Sequence, residues 1–189
     1  VSGDVTLKAK PLKVGNCILN GEKIYIQSML NTRSDDIEGS VLQAMSLEKA
    51  GCDIIRAAIP DKEALKLIPA IKDKINIPLV ADIHFNYRLA VESVAAGIDK
   101  IRINPGNIGD KDRVKAVVDA CKSKNIPIRI GVNSGSLEKE ILGKYGSPTP
   151  EALVESALGH VKILNECDFD DIVISIKSSN VNNVIGAYR

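Results

Sequence analysis

Aromatic residues and net charge are both nearly missing from this sequence of 189 residues. Phe, Tyr and Trp make up only 3% of the chain, and 25 basic residues face 24 acidic ones, which leaves a formal net charge of +1. Nucleic-acid-binding proteins usually carry a basic face, and single-strand binders also need aromatic side chains on which bases stack. We therefore expect no nucleic-acid partner, and any electrostatic function must come from the local placement of charge.

Paired cysteines and long apolar runs are also missing. None of the four cysteines belongs to a Cys-x-x-Cys pair, so we expect neither a zinc-type site nor a disulfide framework. They are Cys17, Cys52, Cys121 and Cys167. No apolar stretch reaches the roughly 18 residues that span a bilayer, and no signal-peptide pattern opens the chain. We expect reduced and mostly buried thiols, no membrane partner and a cytoplasmic location.

The chain does contain a regular alternation of apolar strands and amphipathic helices. The predicted strands are almost continuously apolar, which is typical of parallel strands covered on both faces. Most of them start roughly 20 to 30 residues apart, a spacing that predicts repeated βαβ units. Strands are predicted at 23–29, at 77–83, 98–103, 126–132 and 171–177, and around the sequence DIIRAAIP; helices are predicted near 61–74 and at 86–96, 110–124 and 150–166.

The N-terminal part has a different pattern. The sequence KVGNCILNGEKIYIQSML predicts a β-hairpin with its turn at Asn20-Gly21, whose second arm continues into the strand at 23–29. We therefore divide the chain into an N-terminal segment with a hairpin arm, residues 1–22, and a barrel domain, residues 23–189.

Two architectures fit the alternation of strands and helices: a (β/α) barrel and an open doubly wound sheet. No G-x-G-x-x-G sequence follows the first strand, which disfavours a dinucleotide-binding sheet. Polar residues at the carboxyl ends of nearly all strands favour a barrel, because barrel active sites gather there. We predict an α/β TIM-type barrel that is incomplete, with about six of the eight strand–helix units of a full barrel.

Basic residues stand at or near the ends of four predicted strands. They are Arg56, Arg102, Arg129 and Lys177. The carboxyl ends of barrel strands meet at one mouth, so we expect these side chains to converge there. Several like charges buried without a counterion would cost several kcal/mol each, and guanidinium groups fit phosphate oxygens. The pattern predicts a polyanion such as a diphosphate, although any one of these residues alone could form a structural ion pair.

Two asparagines accompany these cations. Alternate side chains of a strand share a face, so Asn104 is expected on the face of Arg102. By the same rule, Asn133 is expected on the face of Arg129. The sequence NPGNIG at 104–109 offers free backbone amides before a helix, and these could cradle an anion or belong to a plain βα loop.

An acidic residue and a histidine end the strand predicted at 77–83. Asp82 could simply orient a neighbouring Arg or His, and His84 could bond a backbone carbonyl. As a metal-binding pair they lack a third ligand, so no metal site is expected in this chain. The other histidine, His160, lies on a predicted helix near polar neighbours, and we expect it to be solvated.

Six segments together resemble the 4-hydroxy-3-methylbut-2-enyl diphosphate synthase (IspG/GcpE) family. They are IQSMLNTRSDD, PLVADIHFNYRLA, DKIRINPGNIG, IPIRIGVNSGSLE, KYGSPTPEALVESA and SIKSSN, and they occur in the family's order from about residue 13 to residue 189. The resemblance implies an oxidoreductase of non-mevalonate isoprenoid biosynthesis that reductively opens 2-C-methyl-D-erythritol 2,4-cyclodiphosphate. It implies that the diphosphate lies in the barrel mouth against Arg56, Arg102, Arg129 and Lys177, with Asn104 and Asn133 also in the pocket and with Asp82 and His84 as the catalytic candidates.

The resemblance also implies partners and a cofactor. The family holds a [4Fe–4S] cluster by three Cys and one Glu in a separate C-terminal domain, receives electrons from ferredoxin or flavodoxin, and forms a homodimer. That domain and its Cys-x-x-Cys motif do not occur in this sequence, so none of the four cysteines is assigned as a cluster ligand. We interpret the chain as the substrate-binding part, inactive alone.

Two other functions remain open from the residues themselves. The first is another phosphate-using barrel, either an aldolase or a pteroate-synthase-like enzyme, and an aldolase of the Schiff-base type would need Lys177 as its nucleophile. The second is a non-catalytic fragment that only binds anions.

Overall fold

A computed structural model describes residues 10–189. Its strands are β1 (Leu12–Val14), β2 (Cys17–Leu19), β3 (Gln27–Met29), β4 (Ile54–Ala58), β5 (Leu79–Asp82), β6 (Lys100–Ile103), β7 (Ile128–Asn133) and β8 (Ile172–Lys177). Its helices are α1 (Ile37–Lys49), α2 (Leu67–Lys72), α3 (Tyr87–Ala95), α4 (Pro105–Ile108), α5 (Lys111–Lys124), α6 (Lys139–Tyr145), α7 (Pro150–Asn165) and α8 (Val181–Tyr188). Short 3-10 turns occupy Glu63–Lys66 and Ser134–Ser136.

The main sheet has six parallel strands in sequence order, from β3 to β8, with helices in the connections. In a flat sheet β3 and β7 would lie roughly 19 Å apart, because neighbouring strands are about 4.8 Å apart. Instead, Arg129 of β7 places its Nη1 3.5 Å from Oε1 of Gln27 on β3. The sheet therefore curves round an interior, which confirms the predicted partial barrel of six strand–helix units.

The hairpin at the N-terminus is confirmed, but its turn was predicted in the wrong place. β1 and β2 are antiparallel and are joined at Gly15-Asn16, not at Asn20-Gly21. Gly15 has a φ of +55°, and a Cβ there would come within 2.8 Å of Pro78 Cγ. The turn is therefore selected by left-handed backbone geometry and by close packing against the loop before β5. The strand predicted at 23–29 is shorter in the structure, where β3 covers only Gln27–Met29. The division of the chain between residues 22 and 23 stays a prediction, and residues 1–9 of the N-terminal segment lie outside the described residues.

Helix signals in the sequence were mostly reliable. The helix predicted at 150–166 is α7, and Thr149 Oγ1 accepts its capping hydrogen bond from the Ala152 amide at 3.2 Å. The helix predicted at 61–74 is instead a 3-10 turn followed by the short α2, since Pro69 has no amide hydrogen for a helical bond to Leu65. The two short helices α4 and α6, inside loops, were not predicted.

The core lies between the sheet and the helices that cover its outer face. The largest fully buried side chains are all Ile or Leu, and they include Ile101, Ile103, Ile128 and Ile130 on β6 and β7. A second, small apolar cluster of Cys17, Ile54 and Val80 joins the hairpin to the amino-terminal part of the strands. All four cysteines are free, and three of them are buried. None of the helices within residues 10–189 has the length and apolarity that a bilayer crossing requires.

His160 was expected to be solvated, and this expectation was wrong. The residue is only 5% exposed, and its Nε2 lies 2.9 Å from Oε1 of Glu138. α7 packs against β7 and against α4, and this packing buries His160 together with Ser156, one turn earlier.

Candidate anion-binding site

A cavity of about 310 Å³ opens at the carboxyl ends of the strands. Seven of the eight predicted site residues line it: Arg56, Asp82, His84, Arg102, Arg129, Asn133 and Lys177. Two larger depressions, of about 450 and 600 Å³, lie near the hairpin and between α7 and α8, and neither gathers residues from several strand ends. The chemically distinctive cavity is therefore the one at the mouth of the partial barrel.

Strand register explains why the central charges meet. Asp82 on β5 is directly opposite Arg102 on β6, and Arg102 is opposite Arg129 on β7. Asp82 is 4% exposed, and its Oδ1 accepts a hydrogen bond from Arg102 Nη1 at 3.1 Å. Its Oδ2 lies 3.6 Å from Arg56 Nε and 3.6 Å from His84 Nε2. One buried carboxylate thus orients groups from three different strands or their extensions.

Arg129 is held mainly by neutral groups. Its Nε donates to Ser175 Oγ at 2.9 Å, and Ser175 Oγ in turn donates to the Ile130 carbonyl at 3.2 Å. Burial lowers the pKa of Arg129, and the nearby charge of Arg56 lowers it further. Both causes oppose the charged form of the guanidinium, so an anion in the cavity would relieve an existing electrostatic cost.

Arg56 is similarly placed beside a weak acceptor. Its Nη2 lies 2.9 Å from the thioether sulfur of Met29 on β3, and its Nε lies 3.2 Å from the same atom. A thioether carries no negative charge and accepts hydrogen bonds weakly. The contact with Met29 therefore does not neutralise Arg56, whose one charged contact among the described residues is Asp82, with Oδ2 3.6 Å from its Nε.

Gly131 gives Arg102 the space that it occupies. A Cβ at Gly131 would lie 2.5 Å from both Nε and Nη2 of Arg102, so the guanidinium lies directly over the β7 backbone. Gly131 lines the cavity but was not predicted as a site residue, and the same holds for Met29 and Ser175. The signal that could have found it is a lone glycine inside an apolar strand, which often marks a close approach by another group.

Lys177 and His84 lie at the rim of the cavity. Lys177 is exposed at the end of β8, where the register places it opposite Asn133. The His84 side chain is 54% exposed and contacts the neighbouring Phe85 ring edge-on, at 6.1 Å between ring centroids. Both side chains can therefore meet a ligand from the solvent side.

The two predicted asparagines both cap turns. Asn104 Oδ1 accepts from the Gly106 amide at 3.0 Å, and Asn133 Oδ1 accepts from the Gly135 amide at 3.1 Å. Asn133 lines the cavity, whereas Asn104 does not. Their substrate-binding roles stay predictions. Because the Oδ1 of each side chain is used in its turn, the Nδ2 amide is the group that remains to donate to a ligand.

The balance of charge in the cavity is positive. Its lining contains three arginines and one lysine but a single carboxylate, that of Asp82. Below this layer, on the same face of β6 as Arg102, Lys100 is 2% exposed, and burial lowers its pKa to about 8. A cavity of this kind favours an anion with several oxygen acceptors.

The described residues do not fit an iron–sulfur cluster. Within residues 10–189 no three His, Cys, Asp or Glu side chains are grouped as metal ligands would be. Burial raises the pKa of the Cys121 thiol to about 12 and also raises that of Cys17, which opposes the thiolate form that binds metal.

The parallel partial barrel and its charged mouth define the class of this chain, that of the TIM-barrel proteins. Among solved structures, dihydropteroate synthase from Xanthomonas albilineans is similar with a TM-score of 0.64 and 16% identity, covering 94% of this chain and 70% of that one. Phospho-2-dehydro-3-deoxyheptonate aldolase from Thermotoga maritima is similar with a TM-score of 0.58 and 13% identity, covering 92% of this chain and 48% of that one. At such low identity these similarities show the fold alone.

Residues 9–189 match the family model described as the GcpE TIM-barrel domain, and the chain belongs to this family. It is 61% identical over 183 residues to 4-hydroxy-3-methylbut-2-en-1-yl diphosphate synthase (flavodoxin) of Clostridium perfringens (strain 13 / Type A), covering 96% of this chain and 52% of that protein. It is 58% identical over 180 residues to the protein of the same name from Listeria monocytogenes serovar 1/2a, covering 95% of this chain and 49% of that protein. The chain thus spans about half the length of these curated relatives.

Proposed function

We propose that this chain is the substrate-binding barrel of a 4-hydroxy-3-methylbut-2-en-1-yl diphosphate synthase. Its cavity would bind the diphosphate of 2-C-methyl-D-erythritol 2,4-cyclodiphosphate. The observation that carries this proposal is the cluster of Arg56, Arg102 and Arg129, which come from three strands and line one cavity, where the carboxylate of Asp82 contacts Arg56 and Arg102. The names of the relatives, at about 60% identity over half their length, support the choice of this diphosphate over other polyanions.

The arginines have a role both in binding and in the reaction. Guanidinium groups present paired donors that match the oxygens of a diphosphate. When the carbon–oxygen bond to a phosphate breaks, negative charge develops on the phosphate oxygen that leaves. Cations already fixed around that oxygen stabilise the charge without having to reorganise, which is the usual basis of electrostatic catalysis. Asp82 keeps Arg102 in place, because its carboxylate accepts a hydrogen bond from that guanidinium.

The rim residues act on the rest of the substrate. His84 is exposed beside the buried carboxylate of Asp82, so its imidazole can exchange a proton with a bound hydroxyl group. Asn133 and Lys177 face each other across β7 and β8, where they can bind a substrate hydroxyl and a phosphate oxygen. Asn104, whose oxygen caps α4, would contribute only its amide nitrogen.

The electrons for a reductive ring opening must come from elsewhere, because amino-acid side chains do not store an electron pair at low potential. We propose a [4Fe–4S] cluster held outside residues 1–189. Flavodoxin, which the names of the relatives specify, or ferredoxin would be its electron donor. A homodimer in the cytoplasm is the setting that the family resemblance implies.

Calorimetric titration with the cyclic diphosphate tests the proposal. Arg102→Ala removes a charge-assisted contact worth about 1.5–3 kcal/mol, so we expect affinity to fall about 10- to 100-fold. Lys115→Ala is the matched control, because it removes one positive charge from the exposed face of α5. Equal affinity of the Arg102→Ala variant and the unmodified protein would refute the proposed site, as would an equal loss in both variants.

A further inference from the structure

A pair outside the cavity is formed by the buried His160 on α7 and the partly buried Glu138, which precedes α6. His160 Nε2 lies 2.9 Å from Glu138 Oε1, and Ser156 Oγ, one turn earlier on α7, donates to the same oxygen at 3.1 Å. The other oxygen, Oε2, is buried and has no hydrogen-bond partner among residues 10–189. The carboxylate of Glu138 therefore depends on these two donors from α7.

The imidazole of His160 is neutral when it donates its hydrogen bond to the carboxylate of Glu138. Burial lowers the pKa of His160, although the charge of Glu138 opposes that effect. Near neutral pH the ring thus carries one hydrogen. Because Nε2 faces an acceptor, the hydrogen lies on Nε2.

The other side of the imidazole touches the loop that follows β6. A Cβ at Gly106 would lie 2.9 Å from His160 Cε1 and 3.7 Å from its Nδ1, so only a glycine fits against the ring. The Gly106 amide is bonded to the side chain of Asn104. His160 consequently packs against the turn that directly continues the strand of Arg102.

The partner of the imidazole belongs to the loop that follows β7. Glu138 comes five residues after Asn133, at the end of the turn that Asn133 caps. His160 therefore contacts the segments that continue both β6 and β7, while it is not among the residues that line the cavity. A single side chain of α7 links the two loops beside the arginine cluster.

We propose that His160 and Glu138 are positioning residues, which hold the loops after β6 and β7 at the spacing that the anion site requires. The pair acts through these loops and does not touch the ligand. The inference rests on the proposed function for its effect on substrate binding, but the spacing of the loops can be measured without any substrate.

Three variants separate positioning from simple stability. His160→Leu removes the imidazole donor and leaves the partly buried carboxylate of Glu138 with only Ser156 as its partner among the described residues. His160→Gln places an amide nitrogen near the former Nε2 and can still donate to Glu138. The double variant His160→Leu/Glu138→Leu also removes the carboxylate that the first variant leaves without its imidazole donor, and replacing such a polar pair by apolar groups often restores stability.

Two measurements are made on each variant: the affinity for the cyclic diphosphate by calorimetry, and the amide NMR resonances of Gly106 and Gly135, one on each loop. We expect His160→Leu to bind about tenfold more weakly and to shift the Gly135 resonance, and we expect His160→Gln to restore most of both. Gly106, which packs on the imidazole, shifts in either variant because the aromatic ring is lost. The double variant should recover its melting temperature while binding remains weak. A purely structural pair would instead recover binding together with stability, and that result would overturn the inference.

A variant elsewhere on α7 is the control. Leu153→Ala opens a cavity at a fully buried position of the same helix and should lower the melting temperature without shifting the two glycine resonances. If His160→Leu leaves the Gly135 resonance unchanged, the inference is wrong whatever the ligand. If the unmodified protein does not bind the cyclic diphosphate while His160→Leu still shifts the Gly135 resonance, the proposed function fails and the role of the pair in spacing the loops stands.

Discussion

Replacement of Lys100 by methionine is expected to stabilise the protein near neutral pH and to lose this effect in alkaline solution. Lys100 is 2% exposed on β6, opposite Val80 and on the same face as Arg102. The charged groups that act on it are Arg129 and Arg56, and the Cys17 thiol, the third titratable neighbour, is kept neutral by its raised pKa. An ammonium group in this position has lost its hydration and is repelled by its neighbours.

The size of the effect follows from the pKa. Burial, followed by the charge of Arg129, lowers the pKa of Lys100 from 10.5 to about 8. At about 1.4 kcal/mol for each pKa unit, the charged folded form carries a cost of about 3 kcal/mol. Between pH 8 and pH 10.5 the unfolded chain binds a proton that the folded chain does not, so this cost declines as the pH rises. Below pH 8 the cost is present in full, and above pH 10.5 it is absent.

Urea unfolding followed by circular dichroism measures the prediction. At pH 7 the Lys100→Met variant should gain up to about 3 kcal/mol in the free energy of unfolding, and at pH 10.5 the gain should shrink towards zero. Lys62→Met, which changes an exposed lysine, should leave this free energy nearly unchanged at both pH values. A Lys100→Met variant that is less stable than the unmodified protein at pH 7, or equally stabilised at both pH values, would refute the reasoning.

Two further predictions concern the buried carboxylate and the thiols. Asp82→Ala leaves the guanidinium groups of Arg102 and Arg56 without their carboxylate and should cost about 3–5 kcal/mol in denaturant unfolding, with partial recovery in phosphate buffer. If the free energy of unfolding falls by less than about 1 kcal/mol, hydration by solvent already stabilises the two guanidinium groups and the prediction is wrong. In thiol labelling, the half-buried Cys167 should react first, whereas Cys121, whose pKa burial raises to about 12, should react only as fast as the fold opens. Early labelling of Cys121 would contradict its burial.

The convergence of the arginines could be predicted because it depends on local rules. Alternate residues share a strand face, and parallel strands in sequence order bring their carboxyl ends together. These two rules are enough to place Arg56, Arg102 and Arg129 at one mouth before any coordinates exist. The same rules could not show that Asn104 would lie outside the cavity, because its position depends on the turn into α4.

The errors concern choices that distant contacts decide. Two possible turns lie close together near the N-terminus, and the one at Gly15-Asn16 is formed because that glycine packs on Pro78, far along the chain. His160 has polar neighbours on its own helix, which suggested exposure. Its partner Glu138 lies outside α7, in the loop after β7. The burial of His160 therefore depends on how α7 packs and not on the sequence of α7.

The absence of a side chain at Gly131 has an evolutionary consequence. Even the methyl group of alanine would take the volume that the Arg102 guanidinium fills, so substitution there should displace the cation although the glycine has no side chain of its own in the site. A mutational scan that selects for anion binding should therefore be intolerant at this position. The requirement for anion binding would then restrict the sequence at Gly131, a residue that has no side chain to contact the anion.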